Sequence, residues 1–169
     1  MGADIRDLIG TSQAPDLGPA RRSGTKSVAE IDKALGPKAS PLVRATVLLW
    51  HDHLDEAHVI AQSVENPDGS YLHGIIHRRE PDYSNAKYWF HRVRRHPCFE
   101  PLARQAGSLL QGEQRLRDRL LPRGEWDPLA FIEACEEAGR GRLSEAQTAL
   151  LRSIQAAELE LLLAHFSSR

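Results

Sequence analysis

Seven of the eight histidines fall between positions 51 and 96. A neutral imidazole can ligate a metal ion, accept a proton or donate one, so a cluster of this kind is where chemistry is first sought. The first group is His51-Asp52-His53-Leu54-Asp55-Glu56-Ala57-His58. With about 100° per helical residue and Leu54 as the origin, His58 falls about 40° away and His51 about 60° away. Both border the apolar stripe that runs through Val43, Val47, Trp50, Leu54, Ala57, Ala61 and Val64. His53 lies about 100° off on the other flank and Glu56 about 160° off. The second group is His73-Gly74-Ile75-Ile76-His77, an i,i+4 pair whose rings share one helix face and can share one ion. A metalloprotease of the HExxH type is not expected, because Gly74 stands where the general-base Glu would be.

Asn66-Pro67-Asp68-Gly69 lies between the two groups and is strong turn chemistry. A tight turn folds two helices back on each other, so His58 is expected to face His73 and His77 across the contact. The expected metal ligands are therefore His58, His73 and His77, holding a divalent ion such as zinc or iron. His51 is a fourth ligand or general base. Asp55 and Glu80 complete the catalytic set, either of them orienting a ring N–H. Arg78, Arg79 and Asn85 are expected to bind a small anionic substrate, since guanidinium groups grip carboxylate and phosphate bidentately.

Three functions remain open from these residues. One is a metal-dependent enzyme, in which the ion acts as Lewis acid or activates water. Another is a metal-free module that binds a small ligand or peptide. The third is a structural protein with a buried His/Asp network.

The elements that must position these groups read as helical throughout. Ser27 with Glu30 forms a capping box for a short helix to Leu35. Ser40-Pro41 starts a helix predicted from about 41 to 65. Further helices are predicted over about 70–79, 84–95, 102–121 with breaks at Gly107 and Gly112, 128–138 after Asp127-Pro128, and from the Ser144 cap to the end. Glu80-Pro81-Asp82 separates two of them, because a residue before proline avoids the helical region. No strand-like alternation of useful length and no internal repeat occurs. The expected fold is all-α, a single-domain helical bundle with irregular central loops. Residues 1–40, rich in Gly, Pro and Ser, read as a partly flexible lead-in dispensable for the core, and 41–169 as the helical domain.

Composition narrows the partners. A net charge of -1 gives no basis for nucleic-acid or anionic-membrane binding. No apolar run reaches the roughly 20 residues of a membrane span. The acidic start, Met1-Gly2-Ala3-Asp4, has no apolar leader region. Cys98 and Cys135 follow no disulfide or metal spacing, as expected of free thiols in a cytoplasmic protein. Arg92, Arg94, Arg95 and Lys87 form a local basic patch, read as a solvated face.

The runs Asp55-Glu56-Ala57-His58-x-Ile60-Ala61-Gln62, Asp68-Gly69-Ser70-Tyr71-x-His73 and His77-Arg78-Arg79-Glu80-Pro81-Asp82-Tyr83-Ser84-Asn85-Ala86-Lys87-Tyr88-Trp89-Phe90 resemble a family of uncharacterised bacterial and fungal proteins. The resemblance spans about residues 41 to 166 and takes in Trp126-Asp127-Pro128 and Ile154-Gln155-x-x-Glu158. It implies no established reaction.

Overall fold

Apolar periodicity of three and four, with a cap at most helix starts, dictates an all-α chain. The computed structural model describes residues 4–169, so the first three residues of the expected lead-in and of the leader argument lie outside it. Among the described residues ten α-helices follow one another: α1 Ile5–Leu8, α2 Val28–Leu35, α3 Pro41–Trp50, α4 Leu54–Ala61, α5 Pro67–Arg79, α6 Tyr83–Val93, α7 Phe99–Leu109, α8 Gln114–Leu120, α9 Pro128–Gly139 and α10 Glu145–Ser167. A single 3-10 turn, Pro122–Gly124, precedes α9. No strand occurs among the described residues. Among them, too, no helix is long and apolar enough to cross a membrane.

The caps act as their residue types require. Ser27 and Ser144 each accept from the backbone N–H of N3, and Glu30 and Gln147 reciprocate. Asn66, Asp82 and Asp127 cap α5, α6 and α9 with their side chains. Ser40 precedes Pro41 at the start of α3 but makes no side-chain cap bond.

α5 is the central element. Every residue from Asp68 to Arg79 is buried, and α3, α4 and α6 pack around it. α10 packs on α3 and α7, and α9 on α6 and α10. The apolar interior has two clusters that meet at Tyr83, Phe99 and Leu161, so the chain folds as one helical domain. Two glycines let α5 sit so deep. A Cβ on Gly69 would lie 2.0 Å from the Val64 carbonyl oxygen, and one on Gly74 would lie 2.6 Å from the Phe90 ring. The turn after α4 and the face of α6 thus approach α5 closer than any side chain allows.

Two expectations are corrected. The helix predicted over 41–65 breaks at His51-Asp52-His53. Asp52 takes φ 65°, a left-handed conformation that Asp tolerates better than most residues. The break is held by tertiary bonds. Asp52 Oδ2 accepts from the Arg22 backbone N–H (2.9 Å) and Nε (2.8 Å), and Oδ1 accepts from Arg79 Nη2 (2.8 Å). Nor does the lead-in hang free of the core, because Leu8, Leu17 and Ile31 are buried. His51 Nε2–H donates to the Leu8 carbonyl (2.6 Å), and Gln155 Nε2 donates to the Asp16 carbonyl (2.9 Å).

Deleting residues 1–37 should therefore lower stability sharply, because it strips partners from the buried His51 and Asp52 as well as apolar contacts. Thermal unfolding followed by circular dichroism checks this, and a truncated chain that melts like the full one contradicts it. Gly74→Ala should cost about 1–2 kcal/mol in denaturant titration, because crowding of about 1–3 kcal/mol against Phe90 outweighs the roughly 1 kcal/mol gained in helix propensity.

Candidate metal centre

The α4–α5 turn folds these helices against each other. Asn66 Oδ1 accepts from the Gly69 N–H (2.9 Å), and Pro67 fixes the first turn of α5. α5 then presents Ser70, His73 and His77 along one side by its own periodicity. Its C-terminus ends at Glu80. After Pro81, Asp82 caps α6 by accepting from the Asn85 N–H (3.3 Å), which sends α6 back along α5.

This geometry brings together the three expected ligands. His58 Nε2 and His73 Nε2 are 2.7 Å apart. One nitrogen of each of His58, His73 and His77 lies within 4.8 Å of the other two. The His73 and His77 rings stack at 4.9 Å, while His58 meets both edge-on, at 4.5 and 5.1 Å. Nitrogens sharing a tetrahedral zinc-like ion at 2.0–2.1 Å sit roughly 3.3 Å apart. Shifts of rotamer size therefore separate this arrangement from a ligand shell, and the group can hold a metal ion.

Charge and burial favour the ligating form. Burial holds His73 down to about 4, with the neighbouring imidazoles His58 and His77 pushing the same way. Burial lowers His77 as well, against the opposing pull of Glu80. Both rings are thus kept neutral, the form that binds metal. Glu80 sits behind the cluster. Its Oε2 is 3.1 Å from His77 Nδ1 and its Oε1 3.9 Å from His58 Nδ1, while Asp82 Oδ2 is 3.9 Å from His77 Nδ1. A carboxylate facing Nδ1 leaves Nε2 free for an ion, as in carboxylate–histidine–metal arrangements. Neither His73 Nδ1 nor His77 Nδ1 completes a hydrogen bond, although both are buried. His58 and Glu80 side chains are 31% and 27% exposed, so the cluster opens to solvent on one side.

The remaining expected site residues lie elsewhere or do other work. His51 is correctly placed beside the core but cannot serve as ligand or base. Its Nε2–H is donated to the Leu8 carbonyl and its Nδ1 accepts from the Lys26 N–H (3.1 Å). Burial lowers its affinity for a further proton. His53 is likewise saturated, donating to the Lys26 carbonyl (2.7 Å) and accepting from Arg21 (3.0 Å). Arg78 and Arg79 are 1% and 0% exposed and cannot reach a substrate. Arg78 pairs with Glu158 (2.5 Å) and Gln155 (3.1 Å). Arg79 pairs with Asp52 and donates to the Leu49 carbonyl (2.7 Å). Asp55 is exposed on the first turn of α4. Asn85 lies at the rim, its Nδ2 donating to Asp82 Oδ2 (3.4 Å).

One contributor was missed in the sequence. Trp89 stacks its ring on His73 at 3.9 Å between centroids. The aromatic pair Tyr88-Trp89, ahead of the fully apolar Phe90, was the available signal.

A second trio, Asp68, His96 and His165, also has donor atoms within 4.8 Å. Its bonding argues for a latch. His96 Nδ1 accepts from the Cys98 N–H (3.1 Å), so the proton is on Nε2, which donates to Asp68 Oδ1 (2.9 Å). The nitrogen facing the carboxylate therefore has no lone pair for a cation. Asp68 also pairs with Arg169 (2.7 Å), joining the start of α5 to the end of α10. Both cysteines are free and buried, and burial pushes their thiols up to about 11 and about 12.

Comparison with family models, with curated proteins and with solved structures returned no match.

Burial lowers the proton affinity of His51, His73 and His96 in the folded state. A histidine lowered on folding contributes its full stability above its unfolded value of about 6.5, and loses it as pH falls from there toward the folded value. The chelated chain should accordingly lose stability between pH 6.5 and 4, by on the order of 1–3 kcal/mol from His73 alone. Urea midpoints measured across that range check it; a flat profile contradicts it.

Proposed function

We propose that this chain is a metal-dependent enzyme whose divalent ion, zinc or iron, is held by His58, His73 and His77. The observation that carries the proposal is the convergence of three imidazoles from two helices, with a carboxylate behind two of them and solvent in front. Three protein ligands with an open position is the pattern of catalytic rather than structural zinc sites. All-imidazole donors suit zinc and iron. The ion would supply a Lewis acid or a water of lowered pKa. Glu80 is a positioning residue whose carboxylate faces Nδ1 of His77 at 3.1 Å and Nδ1 of His58 at 3.9 Å. Trp89 walls the site by stacking on His73. The sequence run that resembles an uncharacterised family contains all of these residues, and we propose that the resemblance reflects this site.

A second reading is supported by one observation. The His58–His73 separation of 2.7 Å is itself a hydrogen-bond length, which suits a metal-free polar pocket that binds a small ligand.

Metal analysis by plasma mass spectrometry decides between them, using tag-free protein that has been chelated, reloaded and desalted. One ion per chain is expected, with a raised melting temperature. His73→Ala should abolish the ion and keep the helical circular dichroism. His51→Ala should keep the ion and lower stability by about 1–3 kcal/mol, since it leaves buried partners unpaired. Absence of stoichiometric metal in the wild type, or equal loading of both variants, overturns the metal proposal and leaves the metal-free pocket.

A further inference from the structure

With Arg78 and Arg79 inside the fold, a cation for an anionic substrate must come from another element. α6 continues past Trp89 to His91 and Arg92, and Arg94 follows its last residue; all three are exposed. These three, with Ser70 and Tyr88, line a cleft of about 490 Å³ between the first turns of α5 and the end of α6. Ser70 is one turn before His73 on the same side of α5, so the cleft lies one helical turn from the histidine cluster. Arg92 is already steered there. Its guanidinium carbon lies 5.9 Å from the Tyr88 ring centre and 5.5 Å from that of Trp89. Trp89 is the ring stacked at 3.9 Å on His73. Cation–π contact with two rings holds the head of a long side chain that would otherwise wander. Among the described residues neither Arg92 nor Arg94 has a carboxylate within ion-pair distance, whereas the nearby Lys87 is paired with Glu133 (2.9 Å). Glu65 also lines the cleft.

We infer that this cleft is the substrate's anion subsite, with Arg92 as the recognising cation and Arg94 and His91 in support. The inference rests on the metal reading above and gives it a substrate class. That class is a small carboxylate or phosphate whose reacting group lies a few bonds from the anion, short enough to span from Arg92 past Trp89 to the histidines. Ser70 supplies a neutral hydroxyl donor beside the charge. An aromatic wall and a single preoriented guanidinium select a compact oxyanion over a long polyanion.

The test uses the full chain with inorganic phosphate and malonate as separate probes. Each is titrated by calorimetry into chelated protein, and again into cobalt(II)-loaded protein with the visible spectrum recorded. Saturable binding is expected, with a dissociation constant raised about tenfold by Arg92→Gln, while cobalt affinity stays unchanged. His77→Ala should remove the cobalt bands but keep the anion heat of the chelated chain. A preference for phosphate or for malonate identifies which oxyanion the cleft takes. Absence of saturable binding by both probes, or equal affinity in Arg92→Gln, overturns the subsite. Absence of cobalt bands in the wild type overturns the metal reading instead, and the chelated titration still reads the cleft.

Discussion

The arrangement depends on two adjacent buried arginines at the end of α5. Arg78 and Arg79 point about 100° apart around the helix. Arg78 reaches Glu158 on α10, and Arg79 reaches Asp52 at the α3–α4 corner. A buried charge deprived of its partner costs about 3–5 kcal/mol. Rotating α5 by even a fraction of a turn would break both pairs, so they fix which side of the helix faces which neighbour. Given that rotation, His73 and His77 face α4 and α6. Buried ion pairs are weak evidence for net stability, because desolvation offsets their attraction. Their effect here is to define register.

The same pairs extend order into the first 40 residues. Asp52 accepts from Arg22 as well as Arg79, and Arg79 donates to the Gly18 carbonyl (3.2 Å). Arg22 also donates to the carbonyls of Gln13 and Trp50. Gln155, the neighbour of Arg78, donates to the carbonyls of Pro15 and Asp16. A segment rich in Gly, Pro and Ser has little helix of its own. It is nevertheless fixed here, because its carbonyls and arginines satisfy groups buried by α3, α5 and α10. Side chains that look suited to an anionic ligand instead neutralise the interior.

What the sequence disclosed, and what it withheld, follows from the range of the forces. Capped starts such as Ser27, Asp127 and Ser144 depend on residues three apart and were legible. The histidine cluster was legible because it needs only helical periodicity and one tight turn: His58, His73 and His77 meet as the spacing requires. The break at His51–His53 was not. The apolar stripe runs through it, and the interactions that open the helix come from Arg22 and Arg79, 30 and 27 positions away. The roles of Arg78 and Arg79 were hidden for the same reason, Glu158 lying 80 positions from Arg78. Local pattern reports which residues share a face; it does not report which charge will be neutralised from afar.

Hydrogen-bond completeness separates His51, His53 and His96 from His73 and His77. His51 and His53 each have both ring nitrogens satisfied by backbone or arginine, in a tautomer that carbonyl acceptors dictate. His96 is satisfied in the same way by Cys98 and Asp68. In His73 and His77 one ring nitrogen is buried without a bond. Burying an unpaired polar atom costs about 1–3 kcal/mol, and it falls here on adjacent turns of the most deeply buried helix. The scaffold can carry that cost because α5 is fixed from both ends, by the Asn66 cap and the Asp68–His96 contact at one and by the paired arginines at the other. Rigidity at the ends of α5 is what lets its middle hold buried ring nitrogens that have no hydrogen-bond partner.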